Sequence, residues 1–293
     1  VDANTRFVDT CPEIADGLLA LKKRLEANPE LATTIRHKYR TKNTTGYALN
    51  ALLDYSKPVE IMRHLLIGSE GTLAFIAEAV LNTVPDLPCK YTGVLFFANI
   101  RDASDAIVPL RDSGAVALEL MDRASLRSVE DQKGALAEMK GLPDTAAAIL
   151  VEYQTATTGE LADRIVAADD VCERLSLVHP ANFTENPERQ AALWKIRKGL
   201  FPSVGAVRKL GTSVIIEDIV FPVARLADAV VDLQSLFQQH GYPDGIIFGH
   251  AKDGNLHFVI TQSFNDQPAI DKYDRFMRAI VALVVDKYGG AVG

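Results

Sequence analysis

The chain has 293 residues, of which 48% are hydrophobic, and a formal net charge of −7. This length is enough for one large domain or two ordinary ones with real cores. The acidic balance argues against nucleic-acid binding, which needs clustered Lys and Arg, and no apolar run approaches the roughly 18 residues of a membrane-spanning helix. Three widely spaced cysteines fit reduced thiols. We therefore expect a cytoplasmic protein, with peripheral attachment to the inner face of the membrane as the alternative.

The two ends of the chain suggest a longer parent protein. Residue 1 is Val rather than Met, and residues 288–293 are turn-type residues with no predicted closing element. We expect an internal piece whose flanking parts are missing.

Residues 1 to about 66 show a helical pattern. Pro12 opens a run with apolar residues on one face, which ends near Asn28. A short apolar segment then leads into the glycine-flanked turn Gly68 to Gly71, and a strand is predicted from Leu73 to Leu81. Glycines at such a turn let the backbone approach a bulky planar ligand, although most turns of this kind simply join a helix to a strand.

After the paired prolines 85 and 88, predicted strands and helices alternate. We predict strands at 91–98, 115–120, 147–153, 212–220, 245–250 and 256–261, and helices near 102–112, 122–132, 158–175, 187–200, 222–240 and 268–288. This order predicts the α+β class, with an antiparallel sheet covered by helices on one face.

The stretch from Ile246 to Ile260 is the most informative part of the sequence. Two β-rich runs flank Asp253-Gly254, which is a strong signal for a hairpin with a type I′ turn. That turn would pair His250 directly with His257, with Cβ atoms roughly 4.5–5.5 Å apart. Two imidazoles at this spacing suit one divalent metal ion. A buried histidine pair that only hydrogen-bonds explains the spacing equally well.

Two other positions carry candidate chemistry. Asn186-Pro187 predicts the start of a helix that contains Arg197, whose guanidinium could bind a carboxylate in a bidentate fork. On the residues alone, an exposed surface arginine is the better interpretation. Glu217 and Asp218 should not act as a carboxylate pair, because neighbours in a strand point to opposite faces.

Several motifs resemble one family. Gly249-His250-Ala251-Lys252-Asp253-Gly254-Asn255-Leu256-His257 resembles the GHxGDGNLH motif of the FAD-linked 2-hydroxy-acid oxidoreductases, which include D-lactate and D-2-hydroxyglutarate dehydrogenases and the flavin subunit of glycolate oxidase. Residues 43–47 and 68–79 are similar to the NTTGY and GSEGTLGIITEA segments that close the FAD domain of that family. Lys252 and Ala74 stand where the family usually has Gly.

The resemblance implies roles for individual residues. It makes His250 and His257 ligands of a divalent metal, with zinc as the expected ion. Arg197, in a segment similar to LWxxR, would bind the substrate carboxylate, and Asn255 would lie beside the substrate. Ile216 stands where members that act on dicarboxylates often have Lys, which puts a second carboxylate anchor in doubt. The implied FAD-binding residues are Asn43, Gly46, Tyr47, Gly68, Ser69, Glu70, Gly71, Thr72 and Ile76.

The resemblance also implies an architecture. Residues 1–88 would be the C-terminal part of a split FAD-binding domain, mainly helical, and residues 89–293 a cap domain with a duplicated ferredoxin-like fold. The parent protein would oxidise a small D-2-hydroxy acid and transfer hydride to FAD. Residues 1–40 lack the family's glycine-rich pyrophosphate loop, so we expect this chain not to retain FAD.

The alternative interpretation is not enzymatic. In this form the chain would be an inert cap domain with at most a weak metal site at the two histidines. Apolar faces left without partners in residues 1–55 would then favour a homodimer.

Overall fold

The computed structural model describes residues 2–40 and 46–293, with backbone alone at Val204, Ala206 and Val207. It divides into two compact units: Val1–Val84 together with Gly293, and Pro85–Val292.

The first unit is helical, as the sequence predicts. Its helices are α1 (Ala3–Thr10), α2 (Pro12–Glu26), α3 (Pro29–Lys38), α4 (Ala51–Asp54) and α5 (Pro58–Leu65). Prolines at the first helical position and the Asn28 cap on α3 supply the expected start signals. Buried Leu18, Ile35 and Ile61 belong to a small core of this unit.

The strand predicted from Leu73 to Leu81 is wrong. These residues have no regular secondary structure, and Phe75, Val80 and Leu81 are exposed. In the part of the chain that the structure describes, no strand pairs with this segment. Without a neighbour to accept its ladder hydrogen bonds, a β-prone sequence cannot become a strand.

The second unit contains one antiparallel sheet. Its strands are β1 (Cys89–Phe97), β2 (Ala117–Asp122), β3 (Ala147–Thr155), β4 (Asn182–Thr184), β5 (Ser213–Val220), β6 (Ile246–His250), β7 (Asn255–Gln262) and β8 (Ala291–Val292). Among the described residues, the eight strands lie in the order β4-β1-β3-β2-β6-β7-β5-β8.

The helices of this unit complete two matching halves. They are α6 (Ile100–Asp105), α7 (Ile107–Asp112), α8 (Arg123–Arg127), α9 (Thr158–Cys172), α10 (Pro187–Val207), α11 (Leu226–Gln239) and α12 (Gln267–Val281), and α12 continues as a π-helix over Ala282–Lys287. Each half runs β-α-β-β-α-β with its strands in the order fourth, first, third, second, which is the ferredoxin-like arrangement. The duplicated fold predicted from the sequence is confirmed.

The two faces of the sheet pack against different helices. One face packs its leucines, isoleucines and phenylalanines against α6, α7, α9, α11 and α12. The opposite face, which we call the site face, is covered by α10 and by residues 123–142. Both faces of the sheet are therefore covered, and the prediction that helices cover only one face is wrong. Helix α10 lies over β1 and β3, and its Leu193 and Leu200 belong to the same buried cluster as Ile246 and Phe248.

Two short strands were not predicted. β4 pairs with β1 over three residues, and β8 pairs with β5 at Val220 and Ile219. The expectation that the last residues form no closing element is wrong, because Ala291–Val292 is an edge strand of the sheet. Gly290 permits this, since a Cβ there would lie 2.1 Å from the carbonyl oxygen of Val220.

Candidate functional site

The hairpin between β6 and β7 has a different turn from the predicted one. A 3₁₀ turn over Ala251–Asp253 and Gly254 in the left-handed conformation join the strands. His250 therefore pairs with Asn255, and Phe248 pairs with His257. The predicted His250–His257 register is wrong by two residues, because the loop needs four residues where a type I′ turn needs two.

The two imidazoles nevertheless meet. Because the register differs by an even number of residues, His250 and His257 remain on the same face and become diagonal neighbours. Their ring centroids are 5.5 Å apart and their planes are nearly perpendicular. Two imidazoles on one tetrahedral zinc ion would have centroids about 5 Å apart, given zinc–nitrogen bonds of about 2.1 Å. The centroid separation allows a shared ion, and a metal bound by this pair stays a prediction.

A carboxylate contacts the Nδ1 atom of each imidazole. His250 Nδ1 lies 2.6 Å from Oε1 of Glu119, and His257 Nδ1 contacts Oδ1 of Asp218. The strand register explains both contacts, since Glu119 pairs with His250 and Asp218 pairs with His257. An Nδ1–H held by a carboxylate leaves the Nε2 lone pair for another partner, and this is the usual arrangement around metal-binding histidines.

Helix α10 contributes Arg197. Asn186 caps the helix by accepting a hydrogen bond from the backbone of Arg189, as predicted. Arg197 Nε donates to Glu119 Oε2 at 2.8 Å, and the guanidinium lies 4.6 Å from the centroid of Phe248. Neither Nη group has a hydrogen-bond partner among the residues that the structure describes. The arginine is therefore held at Nε with both outer nitrogens available to a ligand.

Asn255 lies at the same place but is less accessible. It is buried, opposite His250 in the ladder, and its amide makes a long hydrogen bond of 3.4 Å to the carbonyl of Ile219. In this arrangement Asn255 supports the hairpin next to the imidazoles, and only a small part of its side chain reaches the surface.

The pKa shifts show how the charges are balanced. Burial raises the pKa of the Glu119 carboxyl, but the hydrogen bond from His250 and the charge of Arg197 outweigh it, so this pKa lies below its usual value. The close contact with the His257 imidazole likewise lowers the pKa of Asp218. Both carboxylates are therefore ionised at neutral pH, and the site face holds two fixed negative charges. Glu217, on the opposite face, has its pKa raised by burial.

Within residues 2–40 and 46–293, no group of three or more His, Cys, Asp and Glu side chains lies where it could hold one metal ion. A metal ion bound by His250 and His257 alone therefore stays a prediction.

The FAD-binding candidates lie in the first unit. Tyr47 Oη is 2.9 Å from Thr72 Oγ1, so the two motif segments touch. Gly46 and Gly71 have positive φ angles of 67° and 77°, and a Cβ at either would meet nothing within 4 Å.

The other candidates vary in exposure. Gly68 and Glu70 also have positive φ, Ser69 is buried, and Ile76 is 54% exposed. Asn43 lies outside the described residues. Gly46 and Gly71 are exposed, and the role of these residues in FAD binding stays a prediction.

Glu119 and Asp218 are the site residues that sequence reasoning missed. Glu119 is an acidic residue between two leucines of a buried strand, a pattern that indicates a buried charge in need of partners. Asp218 lies on the face of β5 opposite Glu217, because neighbours in a strand point to opposite faces. The register shows that this is the histidine face, since Asp218 pairs with His257.

Comparison with known proteins identifies the family. Residues 89–293 match the family described as FAD linked oxidases, C-terminal domain. The chain belongs to this family.

The chain aligns with curated proteins at low sequence identity but over most of its length. Glycolate oxidase subunit GlcD of Bacillus subtilis is 24% identical over 234 residues, which are 79% of this chain and 48% of that protein. D-lactate dehydrogenase [cytochrome], mitochondrial, of Arabidopsis thaliana is 26% identical over 84% of this chain and 39% of its own length. D-2-hydroxyglutarate dehydrogenase of Stutzerimonas stutzeri is 27% identical over 86% of this chain and 50% of its own. The chain thus spans half or less of these relatives.

Solved structures support the fold. Alkyldihydroxyacetonephosphate synthase aligns with a TM-score of 0.55 at 17% identity and covers 79% of this chain and 46% of that one. None of the helices in the described part of the chain is both long and apolar enough to cross a membrane.

Proposed function

We propose that the protein containing this chain is a flavin-dependent dehydrogenase that oxidises a D-2-hydroxy acid to the 2-oxo acid. The names of the curated relatives and the family of residues 89–293 support this reaction class. The single observation that carries the proposal is the placement of Arg197 beside an imidazole pair on one sheet face, with its two Nη groups available.

Arg197 is the carboxylate anchor in this proposal. Its Nε is occupied by Glu119, so the substrate carboxylate would be bound by the outer nitrogens. The cation–π contact with Phe248, at 4.6 Å from the ring centroid, helps to hold the guanidinium in place. A planar cation with two parallel donors matches a carboxylate in a way that an ammonium group does not.

The imidazole pair would hold a divalent metal, with zinc as the expected ion. His250 and His257 would bind it through Nε2, because their Nδ1 atoms face carboxylates. When bound, the metal supplies Lewis-acid polarisation of the substrate oxygens. Asp218 and Glu119 keep the Nδ1 protons in place, and Asn255 supports the hairpin that carries both rings.

The first unit would contribute to the FAD site. Residues 1–88 are proposed as the end of the FAD-binding domain, in which Gly46, Gly68 and Gly71 shape the backbone and Tyr47 and Thr72 hold the two segments together. When bound, FAD accepts the hydride from the α-carbon of the substrate. Ile76, which is exposed, would be a further FAD-binding residue of this segment.

A second candidate is an inert cap domain in this form. It is favoured by the two-ligand imidazole site and by the exposed apolar segment at 73–84, which would promote pairing of two chains.

The test uses the intact gene product, supplied with FAD and an artificial electron acceptor, and compares D- and L-2-hydroxy acids. We expect turnover with D-lactate or D-2-hydroxyglutarate and none with the L-acids. Arg197→Lys should lower kcat/KM on the order of 100-fold, which corresponds to about 2.7 kcal/mol of lost carboxylate binding. Lys198→Arg, one residue further along the same helix, is the matched control and should retain wild-type kinetics. Absence of turnover with every D-acid would refute the proposal.

A further inference from the structure

We propose that Glu119 is a positioning residue whose single carboxylate fixes both halves of the site at once. Its Oε2 accepts from Arg197 Nε at 2.8 Å and its Oε1 lies 2.6 Å from His250 Nδ1. The inference rests on the proposed function, because it assigns those two partners to substrate and metal binding.

The burial of Glu119 explains why it must be bound on both sides. Its side chain is 5% exposed, and a buried carboxylate is costly unless it is paired and hydrogen-bonded. Arg197 supplies the opposite charge, and its own side chain is 11% exposed. Each of these two buried charges therefore depends on the other to remain in place.

The two oxygens have separate tasks. Oε1 selects the His250 tautomer that carries its proton on Nδ1, which leaves Nε2 free to bind a metal. Oε2 draws Arg197 Nε toward the sheet, which turns the Nη groups away from Glu119. A neutral amide in the same place has one acceptor oxygen and one donor NH₂ group, so it cannot accept from both partners.

The sheet holds the carboxylate in position. Glu119 pairs directly with His250 across the β2–β6 ladder, and neighbouring Met121 pairs with Phe248. Glu119 and His250 are therefore held by two adjacent strands, whereas Arg197 reaches the same place from helix α10, with its guanidinium over the ring of Phe248. The distance from Glu119 to His250 is therefore set by backbone hydrogen bonds of the ladder rather than by a loop.

The experiment compares Glu119→Gln with the matched control Glu217→Gln. Glu217 lies on the opposite face of β5, half-buried, and accepts from the Tyr273 hydroxyl, so its substitution tests the loss of a comparable carboxylate away from the site. Zinc binding by the whole chain is measured by calorimetry, and nitrogen NMR reads the tautomer of His250 and the Nε–H signal of Arg197.

We expect Glu119→Gln to bind zinc roughly 10–100-fold more weakly than wild type. The His250 spectrum should show protonation at Nε2, and the Arg197 Nε–H signal should move or broaden. Glu217→Gln should leave all three readouts unchanged. If Trp194 fluorescence shows that Glu119→Gln does not fold, Glu119→Asp replaces it. The aspartate keeps the charge but is one methylene too short to hold both partners, so at least one of the two NMR signals should change.

Two negative results have different meanings. Wild-type zinc affinity in Glu119→Gln, with unchanged His250 and Arg197 spectra, would overturn the inference while leaving the proposed function intact. If the wild-type chain binds no zinc, the metal part of the proposed function fails. The NMR signals of His250 and Arg197 then decide the question. If both signals change in Glu119→Gln, the positioning role is supported, and if neither changes, it is overturned.

Discussion

Gly254→Ala tests the turn that brings the two histidines together. Gly254 has φ of +71°, and a Cβ on it would lie 2.0 Å from the carbonyl oxygen of Phe221. The left-handed conformation costs an alanine roughly 1–2 kcal/mol. Relieving the contact requires a backbone shift of the kind that costs about 1–3 kcal/mol, and it disturbs the hydrogen bond from the Phe221 amide to the Gly254 carbonyl. We expect a total loss of about 2–5 kcal/mol in the free energy of unfolding.

The matched control is Gly141→Ala. Gly141 has φ of +76°, nearly the same, but nothing lies within 4 Å of its Cβ position. Its substitution should cost only the conformational part, about 1–2 kcal/mol. The difference between the two variants isolates the contact with the carbonyl of Phe221.

Urea unfolding followed by Trp194 fluorescence measures this difference. Trp194 is the single tryptophan of the chain and lies in the second unit, so its signal reports that unit alone. With a slope of about 2–3 kcal/mol per molar urea, the midpoint of Gly254→Ala should fall about 1 M below that of Gly141→Ala. Equal midpoints would refute the assigned turn and, with it, the corrected hairpin register.

Three further outcomes are expected. Calorimetry should show weak zinc binding that disappears in His257→Ala and persists in the control His64→Ala; equal loss in both variants would place the metal elsewhere. Burial raises the pKa of the Asp122 carboxyl to about 6 from 3.8, so the folded chain holds this proton more tightly than the unfolded chain. The free energy of unfolding should therefore fall by up to about 3 kcal/mol as pH rises from about 4 to 6. Asp122→Asn should flatten that dependence in urea melts at a series of pH values. Hydrogen exchange should be faster in residues 1–55 than in the strands of 212–261, and the reverse order in a monomer would contradict the assignment of the weaker unit.

The long elements could be predicted from the sequence because their patterns are local. β3 and β7 are apolar runs bounded by turn residues, so each was predicted close to its observed bounds. The start of α10 was predicted from its Asn-Pro pair, but the helix continues past Pro202 to Val207, beyond the predicted end at residue 200. β4 and β8, with three and two residues, are too short to show any periodicity. They exist because a neighbouring strand offers hydrogen bonds, which no local pattern records.

The candidate site divides in the same way. His250 and His257 are seven residues apart, so one hairpin brings them together and the sequence predicts their proximity even with the wrong register. The turn was mispredicted because Asp-Gly is compatible with more than one loop length. Glu119 is separated from its two partners by 78 and 131 positions along the chain. The pairing of β2 with β6 reveals the contact between Glu119 and His250. The contact with Arg197 depends on the position of α10 over the sheet.

The β2–β6 seam has a consequence for the order in which the molecule folds. Each half of the sheet is closed by pairings within its own stretch of chain, whereas the seam joins the halves through three residue pairs, Glu119 to Met121 with Phe248 to His250. Contacts distant in sequence carry a higher loop-closure cost and form late. We therefore expect the half-sheets to form first and the Glu119–His250 contact to form last. The histidine that would bind the metal thus acquires its tautomer only when the two halves have docked, so a partly folded chain would present no competent site.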